Sequence, residues 1–252
     1  MLGVFVSACA PARIELPTDP GAPFPEFAEV HRQITAACSG VRSLTAELGL
    51  SGRAGEQRLR GRVVAGFRRP AAMRLEAVAA GQVVFILAAP DENATLYLPR
   101  EDRVLRDERP EALLGALTGV NLAPADLQAI LTGCVLTNGR AVSGRVYPRN
   151  WASIDLDGQA TMYLQRSGTV WGLRAARRSG WRIDYTAWQG AFPAAVRLLS
   201  DSPTARVDLT ATIAQLETNV DLEAAAFAVN VPPDAFPLTL EELRRSGPLQ
   251  GR

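Results

Sequence analysis

The chain of 252 residues contains no lysine, one histidine and three cysteines. Without lysine there can be no Ser-x-x-Lys nucleophile and no phosphate-cradling Gly-x-x-x-x-Gly-Lys loop. A single histidine, His31, rules out His-Glu-x-x-His, and its place beside an apolar helical stripe reads as packing, not as a general base. There is no Gly-x-Ser-x-Gly elbow. Gly49, Gly52 and Gly55 have the wrong spacing for a dinucleotide loop, and Asp155 with Asp157 reads as a solvated hairpin rather than a glycosidase pair. No Cys-x-x-Cys or His-x-x-x-His spacing suggests a metal. The sequence therefore predicts no enzyme, no cofactor and no metal site. Its 27 basic residues, all arginine, against 26 acidic ones give a net charge of +1. On that balance no field is expected to recruit nucleic acid or anionic lipid, and the exclusive use of arginine reads as coding bias.

What is present begins at the N-terminus. Leu2-Gly3-Val4-Phe5-Val6-Ser7-Ala8 is an apolar run ending in small residues, too short to span a bilayer and shaped like the end of a secretory signal. Val6-Ser7-Ala8-Cys9 resembles the bacterial lipobox, in which the cysteine sulfur receives a diacylglycerol and becomes the first mature residue. On this reading 1–8 is a signal remnant with room for an upstream start, and Cys9 anchors the chain to a membrane. The other reading is an N-terminal strand with an incidental cysteine. Pro11, Pro17, Pro20, Pro23 and Pro25 then block helix and ladder alike, so 9–25 is expected to be an extended tether. Burying acyl chains is worth about 0.8 kcal/mol per methylene, which suits such an anchor.

Cys38 and Cys134 remain as a pair in an oxidising compartment, each at the end of a predicted helix. Bonded, they would add on the order of 4 to 5 kcal/mol by chain entropy. Unbonded, they are two unrelated buried thiols.

Phe27, Val30, Ile34, Ala37 and Val41 recur at helical spacing and predict an amphipathic first helix from Glu26. Period-two alternation follows: Leu44, Ala46, Leu48 and Leu50, then Leu59, Val63, Ala65 and Phe67, with Arg58, Arg60 and Arg62 on the wet face. The pattern continues through 73–78, 82–89, 95–98 and 103–107, a meander of six strands. Val83 to Leu87 is apolar on both faces and is expected to be covered by a helix as well. Two short helices start at Pro110 and Pro124, with Glu111 and Asp126 in their first turns. Strands resume from Val135, through 151–156, 160–165, 170–176, 181–188 and 194–200 to 205–216. Trp151, Trp171, Trp181 and Trp188 are expected mostly to pack. A short helix near Leu240 to Arg244 closes the chain. The fold class is thus mainly β with inserted helices: a single half-open antiparallel β-barrel over 26–237, closed by an N-terminal helix and two lid helices within about 109–133, with 238–252 as a helix and tail.

This order of elements behind a lipobox resembles the LolA/LolB superfamily, and most nearly its LolB-like, outer-membrane lipoprotein-sorting branch. The residues that carry the likeness are Ser39-Gly40-Val41-Arg42-Ser43-Leu44-Thr45-Ala46 with Gly52-Arg53, Pro70-Ala71-Ala72-Met73-Arg74-Leu75-Glu76, Ala116-Leu117-Thr118-Gly119, and Phe227-Ala228-Val229-Asn230-Val231-Pro232. The resemblance implies an incomplete barrel that takes acyl chains of a lipid or of a lipoprotein, at the periplasmic face of the outer membrane, with a periplasmic carrier as a possible partner. The expected cavity wall is Leu48, Leu50, Leu59, Val63, Phe67, Met73, Leu75, Phe85 and Leu87, with Leu113, Leu117, Leu127, Ile130 and Leu131 from the lid. A filled core used as a protein-docking module is the competing reading. Two departures stand out: the turn Ala79-Ala80-Gly81 lacks the large apolar residue of the family's membrane-anchored receptor, and no arginine maps onto the soluble carrier's lid lock.

Overall fold

The computed structural model describes residues 13–55, 57–119, 121–135, 139–178, 180–202 and 205–246. Cys9 and the lipobox-like residues before it lie outside them.

The chain enters along a two-residue strand β1 (Ala22–Pro23) and a helix α1 (Phe27–Thr35), which relaxes into a 3-10 turn over Ala36–Gly40. The helix expected to reach Val41 thus stops six residues early. Its Val30 and His31 are buried, and it packs on the strands β8 (Ala141–Tyr147) and β11 (Val170–Arg178) described below.

Six strands follow as an antiparallel meander: β2 (Ser43–Ala54), β3 (Gln57–Arg68), β4 (Ala72–Ala79), β5 (Gln82–Ala89), β6 (Ala94–Leu98) and β7 (Arg103–Glu108). Register puts Leu44 opposite Phe67 and Leu48 opposite Val63, so the apolar positions of both strands share one face, as a period of two requires. Val84 and Ala88, on the other side of β5, are buried too.

Two helices interrupt the strands, α2 (Pro110–Thr118) and α3 (Pro124–Thr132). Each begins at a proline, whose missing N–H costs nothing at that position. Each ends at a left-handed glycine, Gly119 at φ 77° and Gly133 at φ 72°. A side chain at Gly133 would also run into the ring of Trp188.

A second meander completes the sheet: β8, β9 (Trp151–Leu156), β10 (Ala160–Ser167), β11, β12 (Trp181–Gln189), β13 (Phe192–Ser202) and β14 (Ala205–Thr218). The strand expected from Val135 starts only at Ala141. The two meanders join where β14 pairs antiparallel with β2 over most of their length. At this seam Gly52 has φ 140° and its α-carbon faces the Asp208 carbonyl so closely that any side chain would collide with backbone.

Among the described residues the result is one curled, open sheet of 15 strands with β1 at one end and β15 (Phe236–Pro237) at the other. Both short strands cover an edge: β1 pairs with β8, and β15 lies parallel to β7. Covering edges in this way blocks pairing with foreign chains. Between β14 and β15 the chain crosses the outer face of β2 to β4, where Ser43, Arg68 and Arg74 each donate to a carbonyl of Val220, Leu222 or Ala228 at 2.6 Å. Phe227 is buried there beneath the Arg68 guanidinium. The final helix, α4 (Leu240–Ser246), starts with a capping box. The Thr239 N–H donates to Glu242 Oε2 at 2.9 Å, and the Glu242 N–H donates back to Thr239 Oγ1 at 3.2 Å, satisfying amides the helix cannot. Leu238 and Leu243 belong to the main apolar cluster, and α4 packs on α2.

The proline-rich segment does more than act as a spacer. Pro23 joins a ladder, since a two-residue edge strand can spare its missing donor. Further back, the Ile14 N–H donates to Asp184 at 3.3 Å, and the Ile14 carbonyl accepts from Arg182. Arg182 and Asp184 form a buried ion pair, 2.6 Å between Nε and Oδ1, so residue 14 caps a charged pair that would otherwise be under-solvated.

Candidate functional site

Two apolar clusters occupy the concave side of the sheet. One joins β2 to β7 with α2 and α4; the other joins β9 to β13 with α1 and part of α3. Leu122 and Leu198 touch both. At that junction, under α2 and α3, lies a cavity of about 130 Å³.

Its walls come from three sources. Leu48, Leu50, Val63, Phe67, Leu75 and Phe85 rise from β2 to β5; Leu114, Thr118, Leu122, Leu127, Ile130 and Leu131 come down from the helical insertion; Ile183, Val196, Leu198, Leu209 and Ala211 face in from β12 to β14. Thr118 is the sole polar side chain among them, and its hydroxyl donates to the Leu114 carbonyl at 2.7 Å within α2. The wall therefore offers no free donor or acceptor. A void of this kind stays dry, and its lining atoms lack the dispersion contacts that packing would supply. An apolar group entering it gains those contacts without breaking a hydrogen bond.

Leu122, Ile130, Ile183 and Leu198 are shared with a second recess of about 230 Å³, which runs along the loop between α2 and α3 to Trp181, Asp126 and Arg178. Arg178 and Asp126 meet there at 3.4 Å, both more than two-fifths exposed. A pair so wet is worth at most about 1 kcal/mol, so it holds the start of α3 to β11 only weakly. The larger recesses of about 540 and 690 Å³ have charged walls, and the 690 Å³ one is roofed by residues 13–19, the docked N-terminal segment.

Of the fourteen residues expected to line a cavity, Leu48, Leu50, Val63, Phe67, Leu75, Phe85, Leu127, Ile130 and Leu131 do so. Leu59, Met73, Leu87, Leu113 and Leu117 are buried in the solid cluster beside it. Sequence reasoning passed over Leu114, Thr118, Leu122 and all five contributions from β12 to β14. The sequence marked 205–216 as a strand, but placing Leu209 and Ala211 beside β2 requires the seam between the two meanders. Cys38 and Cys134 form a disulfide, their α-carbons 5.5 Å apart across 96 residues of sequence. It ties the turn after α1 to the residue following α3's glycine stop. Cys9 has no place in the described residues.

Chemistry has little to work with here. Among the described residues no three His, Cys, Asp or Glu side chains gather where they could hold a metal ion. Burial holds the His31 imidazole below its ordinary value, and its Nε2 is buried without a hydrogen-bond partner, so at neutral pH it is an uncharged packing group. Burial likewise pushes the Tyr185 phenol far up, leaving no usable base there. No described helix is long and apolar enough to cross a membrane.

An open, curled antiparallel sheet with helices over its concave side defines the class of fold. No protein-family model matches the chain, and no curated protein matches it in sequence. Among solved structures, a LolA superfamily protein from Nitrosomonas europaea is similar with a TM-score of 0.53 at 10% identity, covering 82% of this chain and 98% of that one. A DUF1329 family protein from Desulfovibrio piger is similar with a TM-score of 0.50 at 11% identity, covering 82% and 97%. At such identities the likeness is one of fold.

Proposed function

We propose that the chain is a non-enzymatic carrier or receptor for lipid or lipoprotein in the bacterial envelope, holding acyl chains between the sheet and the two helices above it. The observation that carries this reading is the recess itself, lined by aliphatic side chains and phenylalanine with Thr118 as its one polar member, and covered by elements joined through a short loop. The fold it shares with a LolA superfamily protein supports the same reading. At about 130 Å³ the cavity takes a group the size of an aromatic ring. A full acyl chain therefore needs α2 and α3 to move outward, with each buried methylene returning about 0.8 kcal/mol. The Arg178–Asp126 pair at the rim gives way cheaply.

In this reading the chain is LolB-like: lipid-anchored through Cys9 at the periplasmic face of the outer membrane, taking acylated cargo from a periplasmic carrier protein in lipoprotein sorting. Acyl lipid needs no directional contacts, which suits a wall without polar atoms. The test is organic extraction of protein purified from membranes, followed by mass spectrometry of the extract and of the N-terminal peptide. Stoichiometric acyl lipid and a diacylated or triacylated Cys9 are expected. A clean extract would favour the alternative, an envelope lipoprotein whose barrel is a solid docking module, and an unmodified Cys9 would remove the anchor.

A further inference from the structure

The outer face of the sheet carries a charge pattern that the near-zero net charge conceals. Arg58, Arg60 and Arg62 form the outward row of β3, and Arg53 of β2 stands directly opposite Arg58. All four are exposed. Side chains two apart on a strand are about 6.7 Å apart and neighbouring strands about 4.8 Å apart, so four guanidiniums share a patch roughly 15 Å long. Their outward neighbours in register are Gly49, Ser51, Thr210 and Thr212, with Val78 of β4 opposite Arg62 and Asp208 facing Arg53. Asp208 is already engaged, accepting from Arg197 at 2.7 and 2.6 Å. Glu47 of β2 and Glu76 of β4 lie further along, on either side of Val64, and Glu76 pairs with Arg74 at 3.4 Å.

The same outward line continues across the seam, from Arg60 through Ser51, Thr210 and Arg197 to Asp184. Asp184 is where Ile14 docks. The N-terminal segment is thus fixed to the arginine-bearing face, four strands or about 19 Å along the sheet from Arg60. Ile14 follows Cys9 by five residues, a reach of at most about 18 Å.

We propose that this arginine face of β2 and β3 lies against the anionic phospholipid headgroups of the membrane to which the chain is anchored. Guanidiniums on a hydrogen-bonded sheet present a flat array of forked donors, which suits a plane of phosphates. An acidic protein partner is disfavoured because a protein interface needs a large buried anchor. Beside the arginines and Asp208 the patch presents serine, threonine and glycine, with no apolar side chain larger than Val64 and Val78 at its edge. The position of the anchor rests on the lipidation proposed above; the charge pattern does not.

The test uses the full chain with Cys9→Ser, so that no acyl anchor contributes. Cosedimentation is measured with phosphatidylglycerol-containing vesicles and with phosphatidylcholine vesicles across a salt titration. Binding to the anionic vesicles alone, falling as salt rises, is expected. Replacing Arg53, Arg58, Arg60 and Arg62 together by serine should weaken it at least about tenfold. Replacing Arg100, Arg106, Arg109 and Arg140, an equal change in net charge elsewhere, should leave it within about twofold. Equal loss in both quartets, or no preference of the Cys9→Ser chain for anionic vesicles, overturns the proposal, and the salt titration decides even if a quartet misfolds. Patch-dependent binding of polyglutamate at equal strength overturns it in favour of an acidic protein. A fluorescent fatty acid measured on the same proteins reports the cavity separately, so its failure is distinguishable from failure of this face.

Discussion

The two meanders solve the same problem differently. The first, β2 to β7 with α2 and α4, supplies most of a cluster of 27 buried apolar residues among those described, to which α3 adds Leu131 and β14 adds Val207, Leu209 and Ile213; Leu44, Met73, Leu87, Leu96 and Leu113 are essentially inaccessible. The second, β8 to β14 with α1, gathers 15. Among the described residues, the buried side-chain polar atoms without partners all lie outside the first meander: His31 Nε2 on α1, Gln128 Nε2 on α3, Arg174 Nε on β11 and the Tyr185 hydroxyl on β12. Each such atom costs stability. The disulfide and the buried Arg182–Asp184 pair also belong to that half. The first meander is thus held by packing, whereas the second is held by staples, and the cavity opens along the line where they meet. A site that must open is placed where packing is thinnest.

Removing the staple should have the largest effect. Cys38→Ser with Cys134→Ser should cost about 4.5 kcal/mol if chain entropy dominates, read by chemical denaturation with and without reductant. A loss below about 1 kcal/mol would mean that the second half is packed better than its orphaned atoms suggest. Next, Leu113→Ala in the solid cluster should cost about 3 kcal/mol, whereas Leu48→Ala on the cavity wall should cost under about 1 kcal/mol, because the void beside it already lacks contacts. Equal losses would erase the contrast between core and cavity. Smaller still, Leu198→Trp, on the wall shared by both recesses, should change stability by no more than about 1.5 kcal/mol while abolishing binding of a fluorescent fatty acid. Retained binding would place the ligand elsewhere.

The last effect is confined to α4. Hydrogen bonds from the Thr239 backbone and hydroxyl, and then Arg103, hold the Glu242 carboxyl down to about 2. A carboxylate lowered on folding contributes stability above its ordinary value of 4.5 and loses it as pH falls toward about 2. Hydrogen exchange at the amides of α4 should therefore quicken across that window while β2 to β6 remain protected. Unchanged exchange would mean that Leu243, not the cap, secures the helix. In the second meander His31 acts on a higher window. Its folded value is lowered, so its contribution is complete above about 6.5 and declines as pH falls below that.

Much of this was legible in the chain itself. Period-two alternation assigned Leu48 and Val63 inward and Arg58, Arg60 and Arg62 outward, because the side-chain direction on a strand is a local property. Pro110, Pro124 and Gly133 marked helix ends, since fixed φ and left-handed glycine act within a few residues. What was missed depends on distance. The docking of Ile14 on Arg182 and Asp184 joins positions about 170 residues apart, and proline content spoke only for an extended chain. Net charge, being a sum, could not reveal that four arginines fall on one patch while the carboxylate facing it, Asp208, is held by Arg197.

The sequence by itself determined which residues point in and which point out, where the two inserted helices begin, and that the chain has a single histidine and no lysine. Only the tertiary structure decided that β14 closes on β2, that Cys38 meets Cys134, and that Ile183, Val196, Leu198, Leu209 and Ala211 complete a cavity begun by Leu48 and Leu50. Periodicity is written into neighbours along the chain, whereas a cavity and a charged face are made by strands that only the pairing brings together.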